Sequence, residues 1–432
     1  MKWFFAFTVL LFGNSGFSAE LGRSDLIERA TQATVLIKTN LKHGVTEDGK
    51  AKGRWSGSGF VIDKARGWVL TNAHVAGYGA VELRERFKDQ KKFTNAKRVF
   101  LDTKHDVAVI SVDPEVIPDT SKDLGFYCDY KLRRGDGVFS IGHPEGQEFT
   151  ASLGVLSGEK DFHVDGSFYT TDLVTEAGSS GGPVIELGSG HVVGMMTATF
   201  SSSDLGFMTK SKEMCSIIGL MRAERSPARP RFGFQTMIVD GELSPVVGSI
   251  FDQALDLVIG DEILSWNGNL WHPESNGDLG DAMRGYGEDR MQLSVMRDGS
   301  EVLVDVPVQK GRSAHEKDWL FVSGLMITED NKVDATFASG NTNKPVLVIE
   351  SIDSNFDETN DIEFYRGSKI VKVDDLEGIG LRPIYTYLEA LPEDIEVEII
   401  GRVFDRNPES YTSLMKHSFK IKDLDCSWCD EK

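Results

Sequence analysis

The chain has 432 residues, too many for one hydrophobic core, so about two to four domains are expected. Hydrophobic residues make up 40% and charged residues 26%, the proportions of soluble globular protein. A formal net charge of −20 argues against nucleic acid or an anionic membrane surface as a partner, since both are polyanions.

The chain opens with an export pattern. Lys2 supplies a positive start and Trp3 to Phe12 is almost wholly apolar. That run is about ten residues, well short of the roughly twenty needed to span a bilayer. Small residues follow, and Gly16-Phe17-Ser18 or Phe17-Ser18-Ala19 is the candidate cleavage site. Residues 1–18 are therefore read as a signal peptide, the alternative being an uncleaved anchor helix. Nothing after them resembles a membrane segment, so the mature chain is expected to be periplasmic or extracellular.

From residue 33 to residue 210 short β-rich runs alternate with glycine or polar turns. Six candidate strands are Ala33–Thr39, Ser58–Ile62, Trp68–Thr71, Val81–Arg86, Ala96–Asp102 and Val107–Val112. Six more are Gly137–Ile141, Phe149–Ser157, Ser167–Thr171, Gly182–Ile185, Val192–Ala198 and Phe207–Thr209. Two sets of this size predict two six-stranded antiparallel barrels joined through residues 114–134. Ser211–Arg222 reads as a closing helix, and the Pro/Arg-rich stretch Ser226–Arg231 as a linker. Two segments of similar layout follow, each with a strand and tight turn (260–268; 367–375), a helical stretch, and an alternating strand (291–299; 395–402).

Four cysteines fit an oxidising compartment. Cys128 and Cys215 are candidates to pair across the first domain. Cys426 and Cys429 form a Cys-x-x-Cys read as a local disulfide or two idle thiols. A redox site there lacks its β-α-β setting, and a zinc site lacks ligands beyond His417 and Asp430. No metal or cofactor is called for.

The chemistry lies in three short motifs. A serine hydroxyl needs a neighbouring base to become a nucleophile, and the base needs a carboxylate to fix its tautomer. His74 ends the apolar run in Leu70-Thr71-Asn72-Ala73-His74-Val75, Asp106 opens the strand His105-Asp106-Val107-Ala108-Val109-Ile110, and Ser180 lies in Gly178-Ser179-Ser180-Gly181-Gly182-Pro183. The order His, Asp, Ser is one of the known triad orders. His105 is the competing histidine. Gly178 allows a turn in which the amides of Gly178 and Ser180 converge as an oxyanion hole.

These motifs, with Ser56-Gly57-Ser58-Gly59-Phe60-Val61-Ile62 and Ile141-Gly142-His143-Pro144-Glu145-Gly146, resemble the HtrA/Deg family. The resemblance implies a mainly β chain: a trypsin-like double-barrel protease domain (19–225), two PDZ-like α+β domains (226–312 and 313–424), and a tail (425–432). It implies unfolded polypeptides as substrates, peptide C-termini as ligands of the PDZ-like domains, and a homo-oligomer, trimeric in such proteins. Arg231-Phe232-Gly233-Phe234 matches the carboxylate-binding loop of a PDZ domain, with a poorer counterpart near Ser323-Gly324-Leu325-Met326. The chain departs from the family in carrying Ser179 where asparagine is usual, Glu176 beside the oxyanion loop, and an acidic insertion at Asp353–Asp361.

In trypsin-like enzymes the residue six before the nucleophile lies at the base of the primary pocket. Here it is Val174, with Met195, Met196, Thr197 and Ala198 expected along the walls, which predicts cleavage after small or medium apolar residues rather than Arg or Lys. Alternatives to quality-control proteolysis are a PDZ-based scaffold or chaperone with an inert protease domain, and a dedicated processing protease.

Overall fold

A computed structural model of the chain describes residues 22–45, 52–131, 133–161, 167–199, 205–239, 242–250, 254–271, 279–313, 316, 318–330, 346–352, 364, 368–392, 395–404 and 411–429. The signal segment 1–18 and the acidic stretch Asp353–Asp361 lie outside the described residues.

The first six strands are β1 (Thr34–Val45), β2 (Gly53–Asp63), β3 (Trp68–Thr71), β4 (Tyr78–Phe87), β5 (Thr94–Asp102) and β6 (Val107–Ser111). They close into a barrel in the order β1-β2-β3-β6-β5-β4. The next six are β7 (Gly137–Gly142), β8 (Thr150–Asp161), β9 (Ser167–Thr171), β10 (Pro183–Glu186), β11 (Val192–Thr199) and β12 (Gly206–Lys210). They close in the order β10-β11-β12-β9-β8-β7. Closure removes the unpaired edges that six short strands would otherwise expose.

The helix Ser211–Arg222 forms where the sequence places it. A second helix, Arg23–Ala33, precedes β1 and was not expected from the strand pattern. Its Leu26, Ala30 and Ala33 recur at helical spacing and are buried. They join Phe60, Phe139, Ile141, Met195, Met214 and Ile217 in one core that fuses the two barrels. Burying each such large side chain contributes about 1.5–3 kcal/mol, so the seam between the barrels, where the site lies, is rigid by packing. The Cys128–Cys215 disulfide is formed, Cα–Cα 5.8 Å, and ties the inter-barrel connector to the helix.

Two further β-rich units follow, each with its own core. The first contains β13 (Phe234–Val239), β14 (Glu242–Ile250), β15 (Glu262–Trp266), β16 (Asn269–Leu270), the short helix Leu279–Ala282, β17 (Arg290–Arg297) and β18 (Ser300–Pro307). Its sheet order is β13-β14-β15-β17-β18. Asp298 and Gly299 adopt positive φ (48° and 79°) and form a hairpin, so β17 is followed by a further strand rather than ending the unit. The second contains β19 (Trp319–Val322), β20 (Leu325–Asp330), β21 (Val346–Ile352), β22 (Lys369–Val373), β23 (Leu376–Glu377), the helix Leu381–Glu389, β24 (Glu396–Phe404), β25 (Tyr411–Lys420) and β26 (Asp425–Cys426). These β-rich sheets, each with a helix, fit PDZ-like α+β domains.

Two expectations change. The tail 425–432 is in its described part structural: β26 pairs with β19, and Cys426 and Trp428 are buried in the core. The Cys426–Cys429 disulfide closes that segment. The stretch read as a linker is also packed, with Ala228 in the core that fuses the barrels and Arg231 exchanging backbone hydrogen bonds with Gln309. Among the described residues no helix is long and apolar enough to cross a membrane.

Candidate active site

His74 lies on the helical turn Ala73–Ala76 that directly follows β3. Asp106 opens β6 with φ 52°, a left-handed conformation that aspartate tolerates better than most residues. Strands β3 and β6 are neighbours, so the two residues meet through sheet pairing. Asp106 grips His74 at two points: Oδ2 lies 2.7 Å from Nδ1, and Oδ1 accepts the His74 backbone N–H at 2.9 Å. Both side chains are largely shielded, 15% and 18% exposed, so the carboxylate acts in a medium that weakens it little.

Ser180 reaches the pair through β11. Its Oγ donates to the Thr197 carbonyl at 3.0 Å, and the Thr197 hydroxyl donates to Asp106 Oδ2 at 3.2 Å. Asn72 braces the same point, its Nδ2 donating to the Asp106 carbonyl at 2.9 Å and to Thr197 Oγ1 at 2.6 Å. Thr197 and Asn72 thus hold the carboxylate. Sequence reasoning placed Thr197 on a pocket wall and passed over Asn72, although Asn72 stands within the quoted histidine motif.

The glycine loop is shaped by close backbone approach. Gly178 and Gly181 have φ 102° and 86°. A Cβ on Gly178 would lie 2.2 Å from the His143 carbonyl oxygen, and one on Gly181 2.0 Å from that of Ser58. The Ala177 carbonyl accepts the Glu145 N–H at 2.8 Å, and among the described residues no peptide bond is cis. The Gly178 N–H therefore points the opposite way, away from residues 143–146. Ser58 Oγ fixes the Gly178 carbonyl at 2.7 Å, and the Ser180 carbonyl accepts the Ser58 N–H at 2.7 Å. Ser179 tucks inward, its N–H bonded to the Glu176 carbonyl at 2.9 Å, while Glu176 is exposed. Behind the loop His143 is fully buried; burial pushes its imidazole down to about 4, and Nδ1 accepts the Phe149 N–H at 3.0 Å.

His105 is held apart from this group. Its Nδ1 faces Asp102 Oδ2 at 3.1 Å within a buried charged cluster.

The expected specificity pocket is arranged differently. Val174 stands 58% exposed instead of closing a pocket base. Met195 belongs to the core between the barrels and Met196 to that of the second barrel, both fully buried, because alternate residues of β11 face opposite sides. Thr197 is turned to Asp106, and the side chain of Ala198 lies outside the described residues. Among the described residues no His/Cys/Asp/Glu group is placed to hold a metal.

In the first C-terminal unit, Arg231 uses its N–H and carbonyl on Gln309, and Phe232 and Phe234 stack at 5.7 Å against the core. Phe234 opens β13, which ends the sheet and borders only β14 among the described strands. Ser323-Gly324-Leu325-Met326 is a hairpin turn leading into β20, and β20 is paired on both sides, by β19 and β21. It offers no open edge.

Two closed six-stranded barrels with this site at their seam define a trypsin-like peptidase domain, and residues 57–195 match the family described as Trypsin-like peptidase domain. The chain is 30% identical over 295 residues to a probable periplasmic serine endoprotease DegP-like from Chlamydia trachomatis, covering 60% of this chain and 56% of that protein. It is 34% identical over 230 residues to the chloroplastic Protease Do-like 1 of Arabidopsis thaliana, covering 50% and 51%. The chain thus spans about half the length of the curated relatives it matches. Its fold is similar to the HtrA-type protease AlgW solved with a decapeptide, TM-score 0.54 at 20% identity, over 67% of this chain and 98% of that one. Together these findings show a trypsin-like peptidase domain matched over residues 57–195 and a similarity to DegP-like and HtrA-type serine proteases.

Proposed function

We propose that this chain is an exported serine endopeptidase that hydrolyses peptide bonds in unfolded or misfolded polypeptides. Ser180 is the nucleophile, His74 the general base, and Asp106 the carboxylate that fixes the tautomer of His74 and steadies its imidazolium. The observation that carries this reading is the two-point grip of Asp106 on His74, joined to Ser180 through Thr197. With Nδ1 donating to Asp106, the histidine Nε2 is left basic and takes the Ser180 proton as Oγ attacks the carbonyl carbon. The imidazolium then returns that proton to the departing amine, and water repeats the cycle on the acyl-enzyme. The amides of Gly178 and Ser180 receive the developing oxyanion, each donor being worth about 10²–10³ in rate.

The open edge of β13 beside Arg231–Phe234 supports a second site, where a peptide C-terminus adds a strand and the loop amides hold its carboxylate. A periplasmic or extracellular location agrees with the apolar leader and two formed disulfides. A homo-oligomer, trimeric by resemblance, is the expected assembly.

The test is casein digestion by wild type and by Ser180→Ala. Wild type digests, and the variant loses on the order of 10⁶ in turnover, because triad members act as a unit. Equal digestion by both would remove Ser180 from the mechanism.

A further inference from the structure

The turn that delivers Asp106 is held from outside its barrel. Arg284, just beyond the short helix Leu279–Ala282 of the first C-terminal unit, has a side chain only 3% exposed. Its Nη2 donates to Asp102 Oδ2 at 2.6 Å and to Asp281 Oδ1 at 3.0 Å, and its Nη1 to the Pro227 carbonyl at 2.6 Å. Asp102 in turn organises the turn. Its Oδ1 accepts the backbone N–H groups of Lys104 at 3.0 Å and His105 at 3.3 Å, and its Oδ2 faces His105 Nδ1 at 3.1 Å. Lys104 Nζ pairs with Asp281 at 2.8 Å, and Arg229 Nε lies 2.9 Å from Asp281. One residue before Asp102, Ser313 Oγ accepts the Leu101 N–H at 2.8 Å and donates to the Leu101 carbonyl at 3.2 Å. Both ends of the segment 101–105 are thus fixed by residues remote in sequence, and the next residue is Asp106.

Desolvated ion pairs are a poor way to glue two units, because apolar contacts do so without the desolvation cost. What a buried guanidinium adds is direction: a planar fork with several donors at fixed angles. Here the fork is aimed at the one carboxylate that shapes the turn. We propose that Arg284 is a positioning residue for Asp106, so that the first C-terminal unit completes the peptidase site rather than being appended to it. This rests on the triad reading above. Without Arg284, Asp102 keeps only His105 and the turn amides, and Asp106 loses its fixed approach to His74. A displacement of about 1 Å at such a position costs on the order of 100-fold in rate.

The experiment uses the full chain, with kcat and KM for a short quenched peptide measured on wild type, Ser180→Ala, Arg284→Met and Arg284→Lys. Arg284→Met is expected to lose about 10- to 100-fold in kcat with KM within about twofold, and Arg284→Lys to recover part of the loss. A purely structural role would lower the melting temperature and leave kcat at 25 °C and the lysine rescue unmoved. Should Arg284→Met not fold, Ser313→Ala carries the test, with a several-fold loss of kcat at unchanged KM. Folded Arg284→Met (or, in its place, Ser313→Ala) with wild-type kcat overturns the proposal while Ser180→Ala remains dead. Ser180→Ala as active as wild type overturns the triad reading itself.

Discussion

Replacing Thr197 by valine removes one hydroxyl and almost no volume. In wild type that hydroxyl donates to Asp106 Oδ2 at 3.2 Å and accepts from Asn72 Nδ2 at 2.6 Å. Asp106 keeps its two contacts to His74, and Asn72 keeps the Asp106 carbonyl, so the triad is loosened rather than dismantled. A hydrogen bond to a charged group is worth about 1.5–3 kcal/mol, and its loss at the carboxylate that in the proposed mechanism steadies an imidazolium corresponds to about 10- to 100-fold in kcat. Ser180 Oγ bonds the Thr197 main-chain carbonyl, which valine retains, so KM should stay within about twofold. Thr197→Ser restores the donor and should be close to wild type. Steady-state kinetics on a quenched peptide checks this. Wild-type kcat in Thr197→Val would refute the claim that Thr197 holds the carboxylate.

Further outcomes follow from the same geometry. Gly181→Ala sets a Cβ 2.0 Å from the Ser58 carbonyl oxygen at φ 86° and should abolish casein digestion, whereas Gly135→Ala, at φ 88° with nothing within 4 Å, should digest normally. Burial pushes the Glu85 carboxyl up to about 7 from 4.5, with Thr94 as its hydroxyl partner. The folded chain therefore keeps a proton that the unfolded chain gives up, so this contribution is present below about pH 4.5 and lost as pH rises through about 7. By urea denaturation Glu85→Gln should be more stable than wild type by about 3 kcal/mol at pH 8, and the gap should close near pH 4. The Cys128–Cys215 bridge spans 87 positions, so Cys128→Ser with Cys215→Ser should cost about 4–5 kcal/mol by loop-closure entropy, read as a lower urea midpoint.

The barrels were legible because each strand announces itself locally. Val107–Ile110 is an unbroken apolar run, and it is buried on both faces in β6. Ser211–Arg222 was bounded correctly because its amphipathic pattern stands between a strand and a Pro/Arg break. The helix Arg23–Ala33 was missed, although Leu26, Ala30 and Ala33 carry its period, because the β pattern begins directly after it. Thr197 and Asp106 are 91 positions apart, and Arg284 and Asp102 are 182 apart; no local period joins such residues, only the closure of barrels and the docking of units. The pocket expectation misread β11 because in a strand a one-residue step reverses the face, which turns Met196 into the core and Thr197 toward the carboxylate.

The central claim is that Ser180 is a nucleophile activated by His74 and Asp106. Labelling with a fluorophosphonate, followed by mass spectrometry of the peptide holding residue 180, tests it most directly. The account predicts a single phosphonyl adduct on Ser180 in wild type, none in Ser180→Ala, and labelling slowed strongly in His74→Ala. Adduct formation elsewhere in the chain, or equal labelling of wild type and Ser180→Ala, would contradict it.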